Sequence, residues 1–216
     1  MRSNLANLRQ QQGISLLESL IAIVVMALGI LGVMGVQMRT LNDTQTTVRR
    51  AQAIRLIEDL SELMKANPNA LVNIDTYLTS WDNKPTASKN CRTSVCSHTE
   101  WASFDRAEWK KSVNTMLPLG DASVFIPSTE SASSNAGNQR LIGVMISWRE
   151  NEKNVAASDK NAYNTPINAS VGAGSSGDLT CKANSSCHLQ FLPVSARCAP
   201  YFAASATVPQ FFCPGA

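Results

Sequence analysis

Six cysteines and two histidines are the side chains of this 216-residue chain best suited to chemistry. His98 follows Cys91 and Cys96, and His188 adjoins Cys187, so thiol and imidazole, the ligand types that hold zinc, occur together twice. Cys91 and Cys96 have the C-x4-C spacing that zinc sites use. The same even count, completed by Cys181, Cys198 and Cys213, suits disulfides if the chain folds in an oxidising compartment. Six cysteines allow fifteen connectivities, and the sequence does not choose among them. Two histidines that each lie by a cysteine make a poor general acid and base pair.

Other patterns with catalytic associations lack their context. Gly172, Gly174 and Gly177 have G-x-G-x-x-G spacing, but the motif needs a strand before it and a helix after it to hold a pyrophosphate. Here it sits in VGAGSSGDL, inside a polar loop, which points to a flexible turn. Neither Ser175 nor Ser176 has glycines two residues away on both sides, so there is no hydrolase elbow. Of Trp81, Trp101, Trp109 and Trp148, the last two fall on faces predicted to be buried and belong to a core rather than an adhesive patch. No catalytic site, no metal site and no cofactor is read.

Glu18 is the remaining chemical oddity: a carboxylate at the edge of an apolar run, Gly13 to Met38. From Ser19 to Met38 the chain is uncharged, long enough as a helix to cross the roughly 30 Å of a bilayer's hydrocarbon core. An acid at the centre of such a span costs about 2.5 to 3.5 kcal/mol, so one kept at its edge calls for a partner. Before the span lies MRSNLANLRQQQ, basic through Arg2 and Arg9 and free of acids. By the positive-inside rule this end stays in the cytoplasm and all that follows the span is exported. Arg39, Arg49, Arg50 and Arg55 lie beyond the span and pull the other way. Export favours disulfides over zinc, and the pairing expected is local: Cys91 with Cys96, Cys181 with Cys187, Cys198 with Cys213.

A secretory signal places its small-residue cut after the apolar region, whereas here Gly13 comes before it. Basic leader, Gly13, Ile14 and then Glu18 as fifth residue of the remainder resemble the leader of type IV prepilins. Phenylalanine is the commonest residue at the Ile14 position in that family. The run RLIEDLSELMKANPNA resembles the end of the long helix in PilV-type minor pilins, and FDRAEWKKSVNTMLP and VMISWRE resemble that subfamily's second helix and a strand. The likeness covers residues 13–70 well and 91–150 in patches.

The resemblance implies the type IV pilin fold, an α+β arrangement in which a long N-terminal helix packs on an antiparallel sheet. It implies a leader at 1–13, a membrane and assembly half of the helix at 14–38, an amphipathic half at 39–67 that carries the four later arginines outside, and an exported head at 68–216. A prepilin peptidase would cut between Gly13 and Ile14 and methylate the new N-terminus. The net charge would then fall from +3 to +1, since two arginines and no acid leave. Glu18 would serve assembly, and Cys198 with Cys213 would close a loop like the family's C-terminal disulfide loop. The function implied is that of a minor pilin, a structural subunit in the inner membrane and then in the pilus. It would initiate or cap assembly with other minor pilins and the major pilin. A pseudopilin of type II secretion shares leader, helix and fold, and a membrane-anchored exported enzyme or binding protein is the alternative of another class. Nothing is basic enough for nucleic acid. A charged fraction of only 16%, with much Ser, Thr and Asn, suits an exported surface protein.

The elements follow from spacing. No proline interrupts residues 14–67, and Ala53, Leu56, Ile57, Leu60, Leu63 and Met64 form a stripe at helical period, opposite Arg55, Glu58, Asp59 and Glu62. Asn67 and Pro68 end that helix. Gly29, Gly32 and Gly35 allow close approach of another helix or mark weak helix. Residues 69–98 read as a loop, and a second helix is predicted from Asp105, with Glu108 completing a capping box, to Leu117. Strands are predicted at Ser123–Ile126, Leu141–Trp148 and Leu189–Val194, with a polar loop over residues 151–180. Tyr201, Phe202, Phe211 and Phe212 suit a subunit contact or the cover of a sheet edge.

Overall fold

In a computed structural model of the chain, residues 16–131, 139–150, 167–171, 179–194, 199–201 and 210–212 are described. The elements run α1 (Leu16–Ala66), α2 (Ile74–Tyr77), α3 (His98–Met116), β1 (Asp121–Phe125), α4 (Ser128–Ser131), β2 (Leu141–Trp148), β3 (Asn168–Ala169), β4 (Leu179–Thr180), β5 (Ser186–Pro193), β6 (Ala199–Tyr201) and β7 (Gln210–Phe212). A long N-terminal helix followed by a small antiparallel sheet is the α+β arrangement expected. The chain divides into two compact units, Met1–Gln45 and Thr46–Ala216.

In the first unit the described residues, Leu16 to Gln45, are helical and exposed throughout. The second unit carries the core. Ala53, Leu56, Ile57, Leu60 and Met64 are its contribution from α1, the predicted stripe, with Leu63 half-buried at its border. α1 stops at Ala66 because Pro68 has no N–H to continue it, and Asn67 turns the end into a fastening. Its Oδ1 accepts from Asn69 N–H, and its Nδ2 donates to the Tyr77 hydroxyl and the His98 carbonyl.

The main sheet has the order β1-β2-β5, antiparallel throughout, with Val124 opposite Val144 and Val144 opposite Gln190. β2 is apolar at nearly every position because both its faces are covered. Ile142, Val144, Ile146 and Trp148 join the α1 core. Met145 points the other way, into a second cluster with Phe125, Ala169, Trp81 and Leu189. Gly143 is required there: a Cβ would lie 2.3 Å from the Phe125 ring, which lies over it.

Four expectations change. The second helix starts at His98, seven residues earlier than predicted, because Ser97 and Glu100 form the capping box: the Ser97 hydroxyl accepts from Glu100 N–H and Glu100 accepts from Ser97 N–H. Asp105 and Glu108 are interior residues of α3. The 69–98 loop contains α2, which buries Ile74 and Tyr77, and bridges β1 through Thr79 and Val124. Within 151–180, β3 and β4 form a short antiparallel ribbon. Gly172, Gly174 and Gly177 lie outside the described residues. The strands shift by a few residues: β1 begins at Asp121 and β5 at Ser186.

Candidate assembly interface

Leu16 to Met38 has one charge, Glu18, in the first turn of α1, where the helix dipole favours an acid. α1 is long and apolar enough to cross a membrane, and none of its apolar window is buried. Leu16 is 90% exposed and Met26 69%, and Ile21, Leu28 and Val33 are exposed likewise. A Cβ added at Gly29, Gly32 or Gly35 would meet nothing within 4 Å, so no packing within the chain demands glycine there. Past Met38 the helix becomes polar, and Thr40 and Thr44 donate their hydroxyls to the carbonyls of Val36 and Thr40, at 3.0 and 2.8 Å. What such a surface can do is bind apolar matter from outside the chain, lipid or other helices. Gly13 and Ile14 lie outside the described residues.

The second unit is fastened by polar groups that sequence reading missed. Lys110, on α3, is 2% exposed, yet its Nζ is 2.9 Å from Asp121 Oδ1 and donates to the carbonyls of Ser80 and Ala122. Asp121 also accepts from the N–H groups of Asp82 and Ala122 and pairs through Oδ2 with Lys182 at 2.9 Å. Burial would raise the Asp121 carboxyl, but the bonds from Lys110, Asp82 N–H and Lys182 outweigh it and hold the group down at about 2. Burial pulls Lys110 down and Asp121 opposes that, while Asp82 and Asp121 hold Lys182 up. Every lone pair of this carboxylate has a donor, so it is a tie between α3, β1, the Ser80–Asp82 turn and the β4–β5 connection rather than a free base.

Near the end of α1, burial pushes Tyr77 up to about 12, and burial lifts Asp105 from its ordinary 3.8 to about 6. Burial, and then the charge of Arg50, lower His188.

Cys91 is bonded to Cys96 and Cys181 to Cys187, two of the local pairs expected. A sulfur in a disulfide is not the thiolate that binds zinc, so the cysteines beside His98 and His188 offer no metal ligands. Among the described residues no group of three or more His, Cys, Asp or Glu could hold a metal. Cys198 and Cys213 lie outside the described residues, each one position beyond the paired Ala199 and Phe212. Trp109 and Trp148 are buried as expected, whereas Trp101 is exposed and stands edge-on to Phe104. Backbone pairing of β6 with β7 brings Tyr201 and Phe211 into one ribbon, and Phe202 is outside the described residues.

Comparison with known proteins gives two adjoining matches. Residues 8–34 match the prokaryotic N-terminal methylation motif, and residues 35–107 match the Tt1218-like family, described as type IV pilin Tt1218. No curated protein and no solved structure matches the chain. The matched residues take in α1, α2 and the first half of α3, and the sheet stands on its geometry alone.

Proposed function

The chain is a type IV pilin, and on that premise we propose that it is a minor pilin that helps to initiate or cap a type IV pilus. The observation that carries this is the exposed apolar half of α1 with Glu18 at its start, inside a matched methylation motif. The PilV-like runs in α1, α3 and β2 support the minor class. In this reading residues 1–13 are a leader removed by prepilin peptidase, and residues 14–38 hold the precursor in the inner membrane with its N-terminus inside. Residues 39–67 begin the exported part, and 68–216 form the head. The subunit then passes into the pilus beside other minor pilins and the major pilin. Its role is structural, the role to which the family points, and it needs neither cofactor nor nucleic acid.

Glu18 is the assembly group. In a medium of low dielectric it would meet the new N-terminal ammonium of an adjacent subunit, and a slip of register would leave both charges unpaired in an apolar core. Cys198 and Cys213 form a third disulfide, which the β6–β7 register supports.

Intact-mass spectrometry of protein from sheared pili and from membranes tests all three points. The expected species begins at a methylated Ile14 and is lighter than the reduced chain by two hydrogens for each of three disulfides. Glu18→Ala protein is expected to be cut and to stay in the membrane, yet to be depleted from pili and unable to restore piliation. An intact Met1 in pili would refute the processing, and full incorporation of Glu18→Ala would refute the assembly role.

A further inference from the structure

Between residues 84–90 and one side of α3 runs an open groove of about 580 Å3. Pro85, Ala87, Phe104 and Ala107 give it an apolar lining, and Lys84, Lys89, Lys111 and the buried Lys110 also line it, with Glu108 as the acid among them. A neighbouring hollow of about 380 Å3 shares Lys84 and Asn114 with it and adds Arg149, and Lys182 with its partners Asp82 and Asp121. Lys89 lies 3.5 Å from Glu100, and Glu108 is taken by Arg92 at 3.4 Å. Lys84 and Lys111, both exposed, join no ion pair among the described residues.

The opposite charge is found elsewhere on the same unit. Glu58, Asp59 and Glu62 are exposed on α1, away from its buried stripe. Glu62 pairs with Lys65, and Glu58 and Asp59 join no ion pair among the described residues. Neither acid lines the groove. α3 meets α1 through other residues, with Trp109 Nε1 donating to the Leu56 carbonyl.

We propose that the groove of Lys84, Lys89 and Lys111 docks the Glu58–Asp59 face of α1 from a second copy of this chain. The inference rests on the chain being a pilin, held beside its copies in one membrane, and not on the minor class. Two lysines and two carboxylates that join no ion pair among the described residues meet, and the apolar lining of the groove receives the two methylenes of the Glu58 side chain. Groove and acidic face are different surfaces, so the contact is heterologous rather than a symmetric pairing of one patch with itself. Exposed ion pairs contribute little affinity and chiefly set orientation and register, which suffices where a shared membrane keeps the copies concentrated.

The test uses full-length protein in membranes, with light and heavy isotopic copies mixed before zero-length carbodiimide coupling. Mixed-isotope peptides joining Lys84 or Lys111 to Glu58 or Asp59 are expected. Co-purification of two differently tagged copies is expected to fall about fivefold in Lys84→Glu with Lys111→Glu, and equally in Glu58→Lys with Asp59→Lys. It returns when one copy carries the first pair and the other copy the second, as reciprocal charges require. Lys84→Gln with Lys111→Gln, which adds no repulsion, is expected to show a smaller fall. Unchanged co-purification, no return in the reciprocal mixture, or coupling of these lysines only to a different protein would overturn the proposal. Processing at Gly13 and entry of the wild-type chain into pili, followed in the same cells, report separately on the pilin reading.

Discussion

From Leu16 to Gln45, α1 exposes every residue, while from Ala53 to Met64 it buries every third or fourth one. A single unbroken helix thus follows two rules. The second stretch is explained by the chain itself, since Leu56, Ile57 and Leu60 lie in one cluster with Trp109, Val144 and Ile146. The first is not: its leucines and valines contribute nothing to the chain's own core, and its glycines adjoin nothing. Such a surface persists only if lipid or other helices cover it. The second unit, in contrast, satisfies nearly all of its described buried polar side chains internally. Among the described residues only Thr79 Oγ1 and Arg106 Nε are buried side-chain atoms without a hydrogen-bond partner. Substitutions in the two regions should therefore separate, those in the head changing stability and those in the span changing assembly.

The largest effect should come from the buried ion pair. Lys110→Met removes the cation that Asp121 meets at 2.9 Å and leaves a buried carboxylate short of a partner, a loss of about 3 to 5 kcal/mol. Urea unfolding of the full chain in detergent, followed by tryptophan fluorescence, measures it. Adding Asp121→Asn should recover part of the loss, because it removes the carboxylate charge while its amide oxygen still accepts from a backbone N–H that Asp121 holds. Glu18→Ala should leave the same midpoint unmoved. A shift with Glu18→Ala, or none with Lys110→Met, would break the contrast between the regions.

A middle-sized effect is expected at the disulfide beside that pair. Cys181 and Cys187 close a short loop, and the Cys181→Ser, Cys187→Ser variant should lose about 2 kcal/mol by the loop-entropy relation. Lys182 lies within the loop and joins both Asp82 and Asp121, so freeing the loop also loosens the tie. The stability cost of Lys182→Ala should accordingly be smaller in the disulfide-free variant than in the wild type, which a double-mutant cycle measures. Equal costs would show the two fastenings to be independent.

What was legible in the sequence divides along the same line. The long apolar helix, its later stripe and its stop at Asn67 and Pro68 are local or periodic signals, and the fold bears them out. β2 was equally plain, since eight nearly uninterrupted apolar residues need cover on both faces. The start of α3 was also written locally, as Ser97 and Glu100, yet the equally spaced Asp105 and Glu108 drew the reading seven residues too late. Burial decides between the two boxes, and burial is not local: Asp105 is 7% exposed. The Lys110–Asp121 tie left no signal, because Lys110 reads as one of two adjacent lysines on a polar helix. Its pairing depends on β1 and on the backbone of Ser80 and Ala122, which only the tertiary fold brings to it.

Asp105 supplies the smallest of the expected effects and a test of how complete the head's internal satisfaction is. Burial raises its carboxyl from 3.8 to about 6, so the folded chain holds this proton more tightly than the unfolded chain does. Its contribution is therefore fully present below about pH 4 and is lost as pH rises through about 6. Asp121 acts in the opposite sense and in a lower window: its folded value of about 2 lies below the ordinary 3.8, so its stabilisation appears between those values as pH rises and persists above them. The two windows barely overlap, which lets one titration separate them. Asp105→Asn cannot ionise, so the wild type should lose stability against it between pH 4 and 6.5 and be less stable by about 1 to 2 kcal/mol at pH 7. Urea midpoints of both proteins, measured at half-unit steps from pH 4 to 7.5, show whether the difference opens in that window. A difference that is constant with pH would mean that the Asp105 charge meets a compensating group when folded, and that the head is more fully satisfied than its hydrogen bonds imply.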